Sequence, residues 1–189
     1  ALVGSHPFHA EMEELSIVVA GASGDLAQKK IFPAFFALYC QGLLPANFRI
    51  AGFSRTPFSD SEFRAMTAEK LTCRYEPEHS CEAKKQEFLE RCFYVTGRYD
   101  SRDSFLDLYQ RLAGMEMRAG RRVNRLFFLA VPPAVFTDVA RAIAGAGLVP
   151  CGQREPWTRI VVEKPFGRDR QSSDLLTVEI ASIFSEEQI

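Results

Sequence analysis

Apolar residues gather into five short runs along the chain, at 16–20 (SIVVA), 48–53 (FRIAGF), 92–96 (CFYVT), 125–131 (RLFFLAV) and 158–163 (TRIVVE). All but the third are nearly continuous in apolar residues, the pattern of strands covered on both faces. The segments between them carry a longer period. Ile31, Phe35 and Leu38 recur at three- and four-residue steps inside a helix predicted over 26–41, with Gly42 as its stop. Pro33 falls in the second turn of that helix and marks either its true start or a bend. Ser59 and Glu62 have capping-box spacing, which predicts the start of the next helix. Helical character then runs to about Glu90, interrupted near Pro77.

Phe105, Leu108, Leu112 and Met115 make one apolar face, and Val135, Val139 and Ile143 make another that ends in the glycines of AGAG. From about Asp169, Leu175, Leu176, Ile180, Ile183 and Phe184 share one side of a last helix. Strand and helix thus alternate, and the expected fold is a doubly wound α/β domain with a parallel, Rossmann-like sheet and helices on both faces. Residues 1–14 show no periodicity and read as a flexible N-terminal arm, leaving 15–189 as one dinucleotide-binding domain.

Composition narrows the function. With 23 basic and 24 acidic residues the formal net charge is -1, so there is no overall positive field for nucleic acid or an anionic membrane. No apolar run reaches the ~20 residues of a membrane-crossing helix, and ALVGSHPFHA lacks the build of a signal peptide. The expectation is a soluble cytoplasmic protein with no nucleic-acid or membrane partner. Five cysteines (Cys40, Cys73, Cys81, Cys92, Cys151) without a C-x-x-C pair read as free thiols. The spacing of Cys73, His79, Cys81 and Cys92 fits no common zinc finger or ribbon, so no metal is expected.

The chemistry concentrates where strands end. IVVAGASGDLAQKK, residues 17–30, leaves the first strand through a glycine turn and enters a helix. Gly21 permits the sharp turn, Gly24 lets backbone N–H groups approach a pyrophosphate, and Ala27 lets the helix lie close to the strand. The spacing is G-x-x-G-x-x-A, one residue longer than the simple dinucleotide fingerprint. Asp25 is placed to cap the helix, and Lys29 or Lys30 to neutralise phosphate charge.

The second strand ends Gly52-Phe53-Ser54-Arg55 with no acid between Phe48 and Phe58. An NAD site ends this strand in an acid for the ribose hydroxyls, whereas Arg55, with hydroxyls from Ser54 or Thr56, suits the 2'-phosphate of NADP. Ala130-Val131-Pro132-Pro133 ends the fourth strand, either as a plain stop or as a rigid lip for the nicotinamide or ribose. The fifth ends Glu163-Lys164-Pro165, where the proline restricts the backbone and the lysine reaches a substrate hydroxyl or a phosphate.

Taken together, G-A-S-G-D-L-A, the basic end of the second strand, the proline pair and E-K-P-F-G-R-D (163–169) resemble the glucose-6-phosphate dehydrogenase family over Ile17 to the end of the chain. The resemblance implies that Gly21, Ala22, Ser23, Gly24, Asp25, Leu26, Ala27, Gln28 and Lys30 surround NADP. It also implies that Arg55 meets the 2'-phosphate, that Pro132 is near the nicotinamide, and that Lys164 touches both cofactor and substrate.

The family often has tyrosine where this chain has Phe136. Its substrate motif R-I-D-H-Y-L-G-K and general-base histidine are expected beyond Ile189, in a C-terminal substrate domain absent from this chain, and His6, His9 and His79 match no catalytic position. The intact enzyme is then a homo-oligomer that oxidises glucose 6-phosphate to its lactone with hydride transfer to NADP, and this chain alone is inactive. A glucose-fructose-oxidoreductase-like dehydrogenase, which shares the E-K-P triplet, and a non-catalytic NADP-sensing domain are the alternatives.

Overall fold

The computed structural model describes residues 14–72, 78–119, 123–149, 156–163 and 170–189. Within them the five apolar runs form β1 (Glu14–Ala20), β2 (Asn47–Ser54), β3 (Cys92–Thr96), β4 (Val123–Leu129) and β5 (Thr158–Val162). They make one sheet in the order β3-β2-β1-β4-β5, and every pairing is parallel. β1 lies at the centre, which is why all seven of its residues are buried. Its side chains alternate between two cores: Val18 and Ala20 face one, Ile17 and Val19 the other.

The helices are α1 (Phe32–Cys40), α2 (Asp60–Ala68), α3 (Glu78–Glu90), α4 (Arg102–Ala119), α5 (Phe136–Gly145) and α6 (Arg170–Ile183). Phe36, Phe63 and Phe88 bring α1, α2 and α3 onto one face of the sheet. Phe105, Val139 and Ile180 bring α4, α5 and α6 onto the other. The doubly wound arrangement predicted from strand and helix alternation is therefore present, with the order reversing between β1 and β4.

Local signals explain most boundaries. The Ser59–Glu62 capping box is formed in both directions at the start of α2. Gly42, at φ +68°, ends α1 in a Schellman turn in which the Leu43 amide donates to Leu38 O at 2.9 Å. Gly147 ends α5 in the same way, with Leu148 donating to Ile143 O at 3.2 Å.

Pro33 resolves into neither of the expected alternatives alone. Residues Ala27–Ile31 wind as a π-helical turn, the Phe32 amide reaching back to Ala27 O, and Pro33 then sits in the first turn of α1. The wider turn accommodates a ring that has no N–H to give and would crowd the carbonyl four residues earlier. β1 begins at Glu14, held by Arg49 at 2.8 Å, so the strand extends into the last position of the expected arm. Residues 1–13 lie outside the described residues.

Candidate functional site

The carboxyl ends of β1, β2 and β4 meet at the glycine turn. Gly21 and Ala22 both donate to Phe53 O, at 2.8 and 3.3 Å, and Ala130 donates to Ala20 O at 2.8 Å. Gly21 stands at φ +87°, and a Cβ there would lie 2.2 Å from Ala130 O. No side chain fits either requirement, so this glycine builds the turn.

Gly24 differs. It is exposed, has no positive φ, and a Cβ would meet only Gly21 O, at 3.2 Å. The chain path does not demand a glycine here; its small size keeps the outer side of the turn open for something to approach. The amides of Gly21, Ala22 and Gly24 are engaged within the protein. The donors left for an anion are the first N–H groups of the helix that follows, which have no carbonyl one turn back. Those helix-start amides suit the pyrophosphate of a dinucleotide.

Gln28 locks the turn from beneath. It is 4% exposed, and its side-chain amide donates to Ala22 O at 2.8 Å and toward Thr67 Oγ1 of α2 at 3.4 Å. Its role is to hold the turn from inside the protein, and its Oε1 finds no partner among the described residues.

Asp25 does not cap the helix as expected; it turns outward to Lys29, 2.8 Å away, and that ammonium holds its carboxyl below the usual range. Lys29 is thereby engaged, while Lys30 is exposed and makes no ion pair among the described residues. Of the two lysines, Lys30 is the one left for a phosphate. Leu26 is partly exposed and Ala27 is buried, as close packing of helix on strand requires.

At the end of β2, Arg55 is exposed, and its guanidinium carbon stands 5.4 Å from the centre of the Tyr99 ring. It borders a cleft of about 370 Å³ with Arg98, Tyr99, Asp100, Val135 and Asp138. Arg98 is held by Asp100 through two hydrogen bonds, at 3.0 and 2.8 Å, whereas Arg55 has no carboxylate partner among the described residues. Burial pushes the Tyr99 phenol upward, against the opposing pull of Arg55, so the ring stays neutral beneath the cation. A free guanidinium beside an aromatic wall suits a phosphorylated adenosine.

Ser54 corrects the expectation of a phosphate-facing hydroxyl. It is 1% exposed, and its Oγ lies 2.7 Å from both Ser23 Oγ and Tyr94 Oη. Its side chain supports Ser23 instead of reaching a ligand. The Thr56 hydroxyl belongs to an exposed residue, while its carbonyl accepts from Tyr94 Oη at 2.7 Å. Tyr94 was not among the sequence candidates; the signal was a hydroxyl-bearing ring in a strand that must be buried, which obliges it to find a partner.

Pro132 is exposed at the end of β4, with its carbonyl accepting from the Val135 amide at 3.0 Å, and Pro133 starts the short 3₁₀ turn that leads into α5. Because Ala130 packs against Gly21, this lip adjoins the glycine turn. Phe136 is 1% exposed and faces the core, so no hydroxyl is supplied at that position. Lys164, with the rest of the segment 164–169, lies outside the described residues, as do His6 and His9; Glu163 at the end of β5 is exposed.

The cysteines do not all match the expectation of free thiols. Cys92 is buried, and burial pushes its thiol up to about 12. Cys81 is disulfide-bonded, which overturns the free-thiol reading at that position. Nothing in the sequence spacing distinguished it, because a disulfide depends on which cysteines the fold brings together. No described helix is long and apolar enough to cross a membrane.

Residues 18–189 match the family described as "Glucose-6-phosphate dehydrogenase, NAD binding domain". The chain is 49% identical over 95% of its length to the chloroplastic glucose-6-phosphate 1-dehydrogenase of Spinacia oleracea and 45% identical to a chloroplastic enzyme of Arabidopsis thaliana, covering 30% and 29% of those proteins. A solved structure of glucose-6-phosphate dehydrogenase in complex with its substrate glucose-6-phosphate superposes with a TM-score of 0.83 at 35% identity, over 94% of this chain and 36% of that one.

The chloroplastic relatives overturn the expectation of a cytoplasmic protein, because the make-up of residues 1–10, on which it rested, says nothing about delivery to a plastid. The family match favours the first of the three sequence readings over the glucose-fructose-oxidoreductase-like and sensor alternatives, and it supports a nicotinamide dinucleotide as cofactor. With its sheet order, its glycine turn and a family match that spans residues 18–189, the chain belongs to the glucose-6-phosphate dehydrogenase family, as its NAD binding domain.

Proposed function

We propose that this domain binds NADP, in preference to NAD, for the oxidation of glucose 6-phosphate to 6-phosphogluconolactone. The observation that carries the reading is Arg55, a guanidinium without a carboxylate partner among the described residues, standing over Tyr99 where an NAD site would place an acid. The first amides of the helix after Gly24 would hold the pyrophosphate, with Lys30 beside them, and Pro132 would border the nicotinamide end. When bound, the cofactor supplies the hydride acceptor; the protein supplies orientation and charge. Lys164 is assigned to cofactor and substrate together on the strength of the E-K-P-F-G-R-D motif.

On the same reading the base that takes the substrate proton is not a residue of this chain, and the intact enzyme is a homo-oligomer, a state that sedimentation of the purified protein reports. The compartment proposed is the plastid, after the relatives named above.

The deciding experiment is calorimetric titration of wild type and Arg55→Ala with NADP and with NAD. Loss of a charge-assisted hydrogen bond to phosphate costs about 1.5–3 kcal/mol. Arg55→Ala is expected to lose NADP affinity by that amount and to keep its NAD affinity; equal losses for both ligands would refute the assignment.

A further inference from the structure

Three hydroxyls run inward from the glycine turn. Ser23 Oγ lies 2.7 Å from Ser54 Oγ, Ser54 Oγ lies 2.7 Å from Tyr94 Oη, and Tyr94 Oη lies 2.7 Å from Thr56 O. Each separation is a full O–H···O hydrogen bond and needs a proton between the two oxygens. A hydroxyl has one proton and a carbonyl has none. Thr56 O therefore takes the Tyr94 proton. Tyr94 Oη then accepts from Ser54, and Ser54, its proton used, accepts from Ser23. The direction of the whole chain is set at its buried end. Ser23, the half-buried member at the rim, keeps its proton inward and offers lone pairs to whatever meets it from outside.

Tyr94 is a firm end stop. It sits on β3, the edge strand, where its amide donates to Asp60 Oδ1 at 2.9 Å and its carbonyl accepts from Arg111, which is itself paired with Asp60. Its ring centre lies 4.9 Å from that of Phe63 and 5.6 Å from that of Phe58, and the residue is 2% exposed. The phenol cannot swing to a new partner without disturbing this packing.

The arrangement discriminates between ligand groups. A ribose hydroxyl can donate to Ser23, but a phosphate oxygen only accepts. In this fold the 2' position of the adenine ribose faces the end of β2, which is where Ser54 joins Ser23 and Arg55 begins. For Ser23 to donate outward, Ser54 must turn its proton to Ser23, and the Ser54–Tyr94 contact is left without a proton unless Tyr94 gives up Thr56. Either route loses one hydrogen bond.

We propose that Tyr94 is a specificity-determining positioning residue: through Ser54 it holds the Ser23 proton inward, and so tempers the preference for a 2'-phosphate that Arg55 confers. The inference rests on the reading of this site as an NADP site.

The test compares dissociation constants for 2',5'-ADP and 5'-AMP, which differ by the 2'-phosphate alone, measured by calorimetry on the purified protein. Ser54→Ala cuts the chain in its middle, leaves Tyr94 on Thr56 and releases the Ser23 proton. The preference for 2',5'-ADP should rise about fivefold, the worth of one ordinary hydrogen bond. Tyr94→Phe should move it in the same direction, and neither change should move it in a Ser23→Ala background. General loosening of the domain would weaken both ligands together and leave their ratio alone. A ratio unchanged or lowered in Ser54→Ala overturns the relay. A wild type that holds both ligands equally, or an Arg55→Ala variant that keeps the wild-type ratio, overturns the NADP reading itself.

Discussion

Replacing Gly21 and Gly24 one at a time by alanine separates the building of the turn from the approach of a ligand. At Gly21 the φ of +87° is strained for any side chain, and the new Cβ would lie 2.2 Å from Ala130 O, roughly an ångström inside contact distance. Positive φ costs roughly 1–2 kcal/mol, and moving the β4 backbone aside costs about 1–3 kcal/mol more. The total, about 2–5 kcal/mol, is a large part of the stability of one domain.

At Gly24 the Cβ meets one oxygen at 3.2 Å, which a shift of tenths of an ångström relieves, and alanine also restricts the unfolded chain. Stability should stay within about 1 kcal/mol of wild type. The methyl group then stands where the dinucleotide must come, and overpacking of about 1–3 kcal/mol weakens binding on the order of ten- to a hundredfold. Urea denaturation followed through Trp157, the one tryptophan of the chain, reads the first quantity, and calorimetric titration with NADP reads the second. A Gly24→Ala variant that unfolds as early as Gly21→Ala, or that binds like wild type, would refute the division of labour between the two glycines.

Other consequences can be measured on the same material. Cys92 is held neutral by burial with its thiol at about 12, against an ordinary value near 9 in the unfolded chain. The folded state therefore binds the extra proton above pH 9, and stability falls as pH rises by about 1.4 kcal/mol per unit; Cys92→Ala should flatten the fall between pH 9 and 10 in urea titrations. The Glu116–Arg125 pair, at 12% and 14% side-chain exposure, also receives Ser16, so Glu116→Ala leaves a shielded cation and should cost about 3 kcal/mol. Asp25→Ala should release Lys29 toward the phosphate site, tightening NADP and steepening the salt dependence of binding with no change in the unfolding midpoint.

Much of this architecture was legible along the chain because its causes are local. The apolar runs locate the five strands of the described residues, and the Ser59–Glu62 box and Gly42 mark helix ends, since capping and left-handed turns are satisfied by residues a few positions apart. Pro33 is awkward in a helix on sequence grounds alone, but the π-helical turn that accommodates it depends on how the chain leaves the glycine turn onto the sheet.

The side-chain partners of the site were decided elsewhere. Asp25 stands where a cap is expected but turns to Lys29; Ser54 stands where a phosphate-facing hydroxyl is expected but is a buried link between Ser23 and Tyr94, 31 and 40 residues away. The sequence by itself determined the order of elements, the glycine turn and the basic end of β2. Only the tertiary structure decided how the buried hydroxyls satisfy one another, because a polar group removed from water takes the partner that packing brings within 3 Å, and for Ser54 those partners come from segments distant in sequence.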